Sequence, residues 1–497
     1  VIDRRSERWE FVLLGVIGGL AVLSAALVVA QGVSPIPMRG AGLVIDRLSA
    51  SLSLLVASVG AITFRFSQRY LDGDPERRAF LMRLAATVGA AYALMLANHL
   101  GVLVAAWTLT SLGLHALLTH ERGRAEALRP ARKKFLISRL GDVALIGAMA
   151  VIGLVWGTLE LSTFLERASA GGNEVAIGVV ATLVAIAALT KSAQFPFHSW
   201  LPETMEAPTP VSALMHAGII NAGGALLLRF APVIVQAPTA LVMLTAVGTL
   251  TVVLGLLAMW AQVKVKRTLA WSTVAQMGFM MIQCGLAAFP AAWLHIIGHG
   301  LYKAWSFLRS GELPPPTRPT PPSAPGRVLG LATLGTLVAI PALMLANTVT
   351  TFDPLHSPGE LALAGIVALA IGQLWVGLLR HPGASSRRWV GAIGGTVAVA
   401  ILSFELYHLA GLFLAPVLGP MVLPNGPIAW VSAVLPVAAM IALIISQSLL
   451  PVLGNRPIGR AFYVHALNGF YFGAIADGLV DRVWSRLARS RRGVEGA

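Results

Sequence analysis

The sequence is poor in charge. Of its 497 residues, 12% are Asp, Glu, Lys or Arg, about half the share found in a soluble globular protein. It holds one cysteine, Cys284, inside an apolar stretch, which excludes a disulfide framework and a multi-cysteine metal site. There is no Walker loop and no Rossmann glycine pattern, so energy drawn from nucleotides would have to come from elsewhere. Nor is there the contiguous basic domain that a nucleic-acid binder needs. What the chain has instead is apolar residues, 56% of the total, with a mean hydropathy of +0.76. They arrive in blocks of about 20, the length that spans the hydrocarbon core of a bilayer. The pattern is that of an all-α polytopic membrane protein.

Apolar segments at roughly 9–31, 41–66, 79–97, 99–119, 135–157, 174–196, 209–230, 238–262, 269–288, 291–309, 328–351, 360–380, 389–414 and 429–452 are expected to be transmembrane helices. Basic residues gather in alternate connections. Arg4, Arg5 and Arg8 precede the first span, and Arg69, Arg77 and Arg78 follow the second. Arg122, Arg124, Arg129, Arg132, Lys133 and Lys134 follow the fourth, and Lys264, Lys266 and Arg267 the eighth. Arg318 and Arg327, Arg387 and Arg388, and Arg456 and Arg460 follow the tenth, twelfth and fourteenth. The net charge of +15 therefore reads as topology: both termini are expected in the cytoplasm, with an even number of spans. A cleaved signal peptide is the rival reading of the N-terminus, but the apolar run is longer than a usual signal core.

Six parts are expected: N-terminal transmembrane helices over 1–78, a first half over 79–235, the start of a second half over 236–311, a linker over 312–327, further transmembrane helices over 328–455, and a tail over 456–497. Pro314, Pro315, Pro316, Pro319, Pro321, Pro322 and Pro325 make the linker extended and, by the charge rule, cytoplasmic. The tail carries Phe462, Tyr463, Phe470, Tyr471, Phe472 and Trp484, then Arg486, Arg489, Arg491 and Arg492. That composition suits an amphipathic segment on the inner membrane face and equally a docking surface for a partner.

A charge at mid-bilayer costs roughly 2.5–3.5 kcal/mol on insertion scales, so each ionisable residue within a span needs a partner or a task. Lys191 lies five residues before Pro196. Loss of water disfavours an ammonium, as a reversible proton carrier requires; a lysine reaching back to the interface is the alternative. His295, His299 and Lys303 recur every four residues and make a strip about 12 Å long on one helix face, with gaps of about 6 Å that one water could bridge. Zinc would need a third ligand that the neighbourhood lacks, and satisfied structural histidines are the plainer reading. Glu203-Thr-Met-Glu206-Ala-Pro-Thr-Pro opens a segment with Ser212, His216, Asn221 and Gly223-Gly224. Its prolines and glycines fit either a helix broken near the midplane, turning His216 to a water-lined path, or a kinked packing helix. Supporting residues are Asp46, which could pair with Arg47; His115; Arg139 and Asp142, which could neutralise each other; and Glu405 with His408. Glu405 is expected to be the acidic carrier of the second half.

These residues resemble the antiporter-like, proton-translocating membrane subunits of respiratory complex I and of multisubunit cation/proton antiporters. The resemblance is carried by Lys191-Ser-Ala-Gln-Phe-Pro-Phe-His-Ser-Trp-Leu-Pro-Glu-Thr-Met-Glu-Ala-Pro-Thr-Pro-Val-Ser-Ala-Leu-Met-His216 and by His295-x3-His299-x3-Lys303, with Asp46-Arg-Leu-Ser as a minor match. It covers roughly residues 40 to 310. Within that superfamily the chain is most similar to the DabB-type membrane subunits of energy-coupled inorganic-carbon uptake complexes. Met215-His-Ala-Gly-Ile-Ile-Asn-Ala-Gly-Gly224, Leu301-Tyr-Lys-Ala-Trp-Ser-Phe-Leu308 and Tyr463-Val-His-Ala-Leu-Asn-Gly-Phe-Tyr471 carry this narrower likeness.

The resemblance implies an antiporter-like fold of inverted helix repeats and broken helices, with about 14 spans, in a bacterial inner membrane. It implies a pathway for protons or sodium ions through Lys191, His216, His295, His299 and Lys303. It also implies a peripheral DabA-like partner similar to zinc carbonic anhydrases, so that the zinc belongs to the partner and this chain holds no cofactor. Two departures stand out. Trp107-Thr108 occupies the place where complex I relatives have a glutamate, so either Asp142 or Asp46 would have to partner Lys191, or Lys191 sits neutral. Lys303 is the last lysine, and the eleventh span offers Asn347 where relatives carry an exit lysine.

The expected function is that of a transporter subunit rather than an enzyme: ions conducted through it would energise the partner's one-way hydration of CO2 to bicarbonate. One charge falling through 100 mV releases about 2.3 kcal/mol, more than a factor of ten in an equilibrium. A proton-pumping subunit of a respiratory complex or a cation/proton antiporter would use the same path with other partners. A membrane scaffold anchoring the peripheral subunit is the third reading, motivated by Thr108 and the lysine-free second half.

Overall fold

The computed structural model describes residues 4–121, 125–312, 324–350, 357–379, 384–454 and 456–494. The prolines from Pro314 to Pro322, with Arg122, Arg124 and Arg318, lie outside them, as do the side chains of Trp484 and the tail arginines after it. Helix α1 (Arg4–Val33) packs on α2 (Arg47–Tyr70), with a hairpin of β1 (Met38–Gly40) and β2 (Leu43–Ile45) between them. α3 (Arg77–Leu96), α4 (Leu100–Leu118) and α5 (Ala125–Trp156) follow as successive neighbours. After the short α6 (Leu161–Ser169), α7 (Glu174–Lys191) returns beside α5. A single turn, α8 (Trp200–Glu203), leads into the broken pair α9 (Thr209–Ala217) and α10 (Ala222–Arg229), and a further turn, α11 (Ala231–Ile234), into α12 (Pro238–Ala261). α13 (Val265–Gly285) and α14 (Phe289–Leu308) complete this part. The second part is α15 (Pro325–Thr350), α16 (Pro358–Leu379), α17 (Ser386–Leu418) and α18 (Pro427–Leu453), and the tail is α19 (Pro457–Leu467) and α20 (Phe472–Val494).

Among the described residues, twelve helices are long and apolar enough to cross a membrane, with the α9–α10 pair forming one span, Thr209–Arg229. α13 and α14, at 21 and 20 residues, are each about 30 Å long but carry Gln276, Gln283, His295, His299 and Lys303; the expected count of about fourteen includes these two. The helix starts follow local chemistry. Asp46 caps α2 reciprocally with Ser49, each side chain meeting the other's backbone N–H at 2.8 Å. Asn173 accepts from Ala176 N (3.1 Å) at the start of α7, and prolines occupy the first turn of α9, α12, α14 and α18.

Among the described residues three cores result. The larger unites α1 to α14 with the end of α17, a smaller one unites α15, α16 and α17, and the smallest joins α12 and α13 to α16 and α18. In the larger, Gly248 of α12 faces Gly278 of α13 so closely that a Cβ on Gly248 would lie 2.7 Å from the Gly278 carbonyl; small residues at such crossings let helix backbones touch within lipid. α17, 33 residues and so about 50 Å long, ties the parts together. Arg47 of α2 donates to Leu412 O (3.2 Å) and Phe413 O (3.1 Å), and Phe413 stacks on Trp293 of α14 at 5.1 Å. The expected Asp46–Arg47 pair therefore does not form. The outward faces are bare and apolar, as at Leu154, Val22 and Val434, which suits a lipid surround.

Candidate functional site

The sixth expected span ran on to residue 196, but α7 ends at Lys191. Ala193 adopts a left-handed backbone (φ 49°) and Gln194 N turns back to Leu189 O at 3.0 Å. The chain thus breaks at the lysine and leaves it buried against α4. Lys191 Nζ donates to Trp107 O (3.0 Å), Thr110 Oγ1 (2.7 Å) and Ser111 Oγ (2.8 Å), and lies 4.4 Å from the centre of the Trp107 ring. An ammonium has three donors, and here each has an acceptor. None of them is a carboxylate. Asp142 pairs with Arg139 at 2.9 Å, and Asp46 accepts from Arg229 through both carboxylate oxygens. The expected replacement of the missing glutamate by Asp142 or Asp46 is corrected: hydroxyl and carbonyl oxygens of α4 do that work.

Beyond the break, Ser192 Oγ donates to Ile220 O at 2.8 Å, joining α7 to the 3-10 turn Ile219–Asn221 between α9 and α10. A Cβ on Gly223 would fall 2.6 Å from Ala188 O, so this approach needs glycine. His216, in the last turn of α9, is fully buried and stacked on Phe307 of α14 at 4.3 Å. Both its ring nitrogens lack a hydrogen-bond partner, as do Ser212 Oγ, Asn221 Oδ1 and both ring nitrogens of His299. Buried polar atoms are nearly always satisfied; these six lie in a row on α9, the turn after it and α14, where α9 and α14 pack together.

The row opens on a cavity of about 600 Å³ between α13, α14, α16 and α17, lined on its polar side by Ser272, Gln283, His295, His299, Lys303, Glu360 and Tyr407. The strip on α14 is as spaced: the His295 and His299 rings are 5.8 Å apart. His295 Nδ1 meets Gln283 Oε1 at 2.9 Å, and Lys303 Nζ donates to Ser272 Oγ (2.9 Å) and Leu269 O (3.2 Å). Glu405 and His408 do not line the cavity. Its acidic residue is Glu360, in the first turn of α16, which accepts from Tyr407 OH at 3.3 Å. Glu360 was readable as an acid following Ser-Pro-Gly at a helix start, but it sits on the boundary of the expected span. Asn347 lies in a separate, apolar pocket.

On the face carrying the basic connections, Lys133 and Lys134 are buried rather than in a loop, because α5 begins at Ala125. Lys133 Nζ contacts Glu203 Oε2 (2.7 Å) and Asp477 Oδ1 (2.8 Å) and donates to Gly473 O (3.2 Å). The tail thereby folds back on the bundle, and Phe472 packs edge-on against Phe195 at 4.8 Å. Burial raises the Glu203 carboxyl above its ordinary value despite Lys133. Burial and Lys133 push His198 down to about 4, so it is neutral at physiological pH. Glu206 is exposed. His115 meets Ala131 O through Nδ1 at 3.2 Å. Among the described residues no group of three or more His, Cys, Asp or Glu could hold a metal ion.

The profile of the NADH:quinone oxidoreductase/Mrp antiporter transmembrane family matches residues 97–320, which hold Lys191, His216 and the whole α14 strip. The chain is 33% identical over 377 residues to the probable inorganic carbon transporter subunit DabB2 of Halothiobacillus neapolitanus, covering 74% of this chain and 68% of that one. It is 39% identical over 270 residues to the probable inorganic carbon transporter subunit DabB of Hydrogenovibrio crunogenus, covering 54% of this chain and 52%, about half, of that relative's length. In fold it is similar to a chain of the Mrp complex from Dietzia sp. DQ12-45-1b, with a TM-score of 0.61 and 24% identity over 97% of this chain and 60% of that chain.

Proposed function

Because the chain belongs to the NADH:quinone oxidoreductase/Mrp antiporter family of membrane subunits, among the DabB inorganic carbon transporter subunits, we propose that it carries protons by way of Lys191, His216, His299, His295 and Lys303 to drive inorganic-carbon uptake. Membership makes it a multi-pass, proton- or cation-translocating subunit of a larger complex. The finer reading rests on one observation above all: the row of unpartnered buried polar atoms at Ser212, His216, Asn221 and His299, which runs from the break beside Lys191 to the cavity with Lys303 and Glu360. Histidine both accepts and donates a proton near neutral pH, and water between such groups completes a relay. Glu360 supplies the acidic group of the second half.

The basic connections put both termini in the cytoplasm of a bacterial cell by the positive-inside rule. CO2 hydration then belongs to a DabA-like, zinc-bearing partner, and this chain supplies the energy. About 2.3 kcal/mol per charge per 100 mV suffices to bias the hydration. The test replaces Lys191 and Lys303 by methionine, one at a time, in cells that accumulate bicarbonate through the assembled complex. Accumulation should fall at least about tenfold, the effect of roughly 1.4 kcal/mol on a barrier. Undiminished accumulation in both variants would leave the chain as a scaffold. Cation/proton exchange that persists without any effect on bicarbonate would favour the antiporter reading.

A further inference from the structure

Lys134 has no part in the pathway above, yet it is a second buried lysine on the same residue that holds Lys191. Lys134 Nζ donates to the backbone carbonyl of Ser111 at 2.5 Å, and Lys191 Nζ donates to the hydroxyl of the same serine at 2.8 Å. The two environments differ. Lys191 has three oxygen acceptors, enough for every N–H of an ammonium. Lys134, 4% exposed, has one acceptor among the described residues, and no carboxylate is hydrogen-bonded to it. Two ammonium ions sharing one serine in a water-poor site repel each other, so the pair holds one proton between them, and the acceptor count puts it at rest on Lys191.

From this juxtaposition we infer that Lys134 is the proton-carrying residue that loads Lys191 from the basic face, with Ser111 as the bridge. The inference rests on the proton-conduction reading. An incoming proton adds to the Lys134 amine lone pair after Lys191 has discharged along the pathway. The new ammonium turns from the Ser111 carbonyl to the hydroxyl of the same residue; one of its N–H bonds then breaks as the proton passes to Ser111 Oγ, while the serine O–H breaks and a new N–H forms on neutral Lys191. Lys134 returns to the amine, Ser111 to the hydroxyl, and one positive charge has moved one step inward. Among the described residues, the charged and titratable groups around the pair are Arg132, Arg139 and Asp142 from α5 itself and His115 from α4. Arg139 and Asp142 neutralise each other, which leaves the two lysines and His115 to titrate.

The test compares K134M, K134R and K134H with K191M in the full complex in cells, reading the rate of bicarbonate accumulation against external pH and the amount of assembled complex. K134M should lose at least about tenfold. K134R should lose as much although it keeps the charge, because a guanidinium does not release its proton; a purely structural or electrostatic role would leave K134R near wild type. K134H should recover to within about threefold of wild type, with its pH profile displaced toward acid, since imidazole titrates near 6.5 in water and an ammonium near 10.4. Wild-type rates in K134M or K134R overturn the inference, and if K134M fails to assemble, K134R and K134H decide it. Should K191M itself be unimpaired, the conduction reading fails; K191M impaired with K134R intact removes Lys134 alone.

Discussion

The two lysines that the strip and the broken helix provide are housed in opposite ways. Lys191 is close-packed, its three donors met by a carbonyl and two hydroxyls of one turn of α4. Lys303 has two acceptors and borders a cavity of about 600 Å³ that it shares with Glu360, His295 and His299. A charge in a low-dielectric medium can be stabilised by fixed dipoles or by water and a counter-charge. The first lysine uses fixed dipoles alone, so the absence of a glutamate at Thr108 does not leave it bare. The second keeps the wetter arrangement, with an acid in reach of the same space. Under the proposed conduction, a proton leaving Lys191 must therefore break a fixed set of hydrogen bonds, whereas one leaving Lys303 meets the cavity shared with Glu360.

That contrast can be broken at Glu360. If the second lysine depends on the cavity's acid, E360Q, which keeps shape and hydrogen bonding but removes the charge, should lower bicarbonate accumulation about tenfold, or roughly 1.4 kcal/mol. E405Q should stay near wild type in the same assay, because Glu405 lies off the cavity. A smaller effect is expected at the first lysine. T110V removes one of three acceptors while keeping the branched shape, and a drop of about threefold, roughly 0.7 kcal/mol, fits a site in which two acceptors remain. Transport abolished by T110V and untouched by E360Q would invert the comparison.

How far these sites are legible in the sequence depends on which contacts are local. The spans were legible because a bilayer imposes about 20 apolar residues, and the α14 strip because a four-residue repeat fixes one face. The break after Lys191 was legible only as a proline nearby; the turn comes earlier, at Ala193 and Gln194, through backbone conformation that no motif announces. What surrounds Lys191 lies about 80 positions away on α4, and hydroxyls at Thr110 and Ser111 look like any helix-facing residues. Lys133 and Lys134 read as part of a loop because three basic residues in a row, Arg132 to Lys134, resemble a topogenic cluster. In three dimensions Glu203 and Asp477 draw the first of them inward, and Ser111 the second.

The smallest effect on transport is expected at Asp46, and it sharpens the claim that Lys191 works without a carboxylate. Asp46 immediately precedes the α2 span, buried and paired with Arg229. Burial alone would raise its carboxyl, but the Arg229 guanidinium and the Ser49 hydrogen bonds more than offset that and hold it below its ordinary 3.8. Asparagine caps a helix about as well as aspartate, so D46N removes the ion pair and leaves the cap. Breaking a buried pair costs about 3–5 kcal/mol because the partner charge stays behind unpaired, so the melting temperature in detergent should fall while bicarbonate accumulation stays within about twofold of wild type. A depressed carboxyl contributes stability above its unfolded pKa and loses it as pH falls through the folded value. The melting gap between D46N and wild type should therefore persist from neutral pH down to about pH 4 and close below it. A D46N variant that melts normally but has lost transport would make Asp46 part of the path, and the carboxylate-free description of Lys191 would then be wrong.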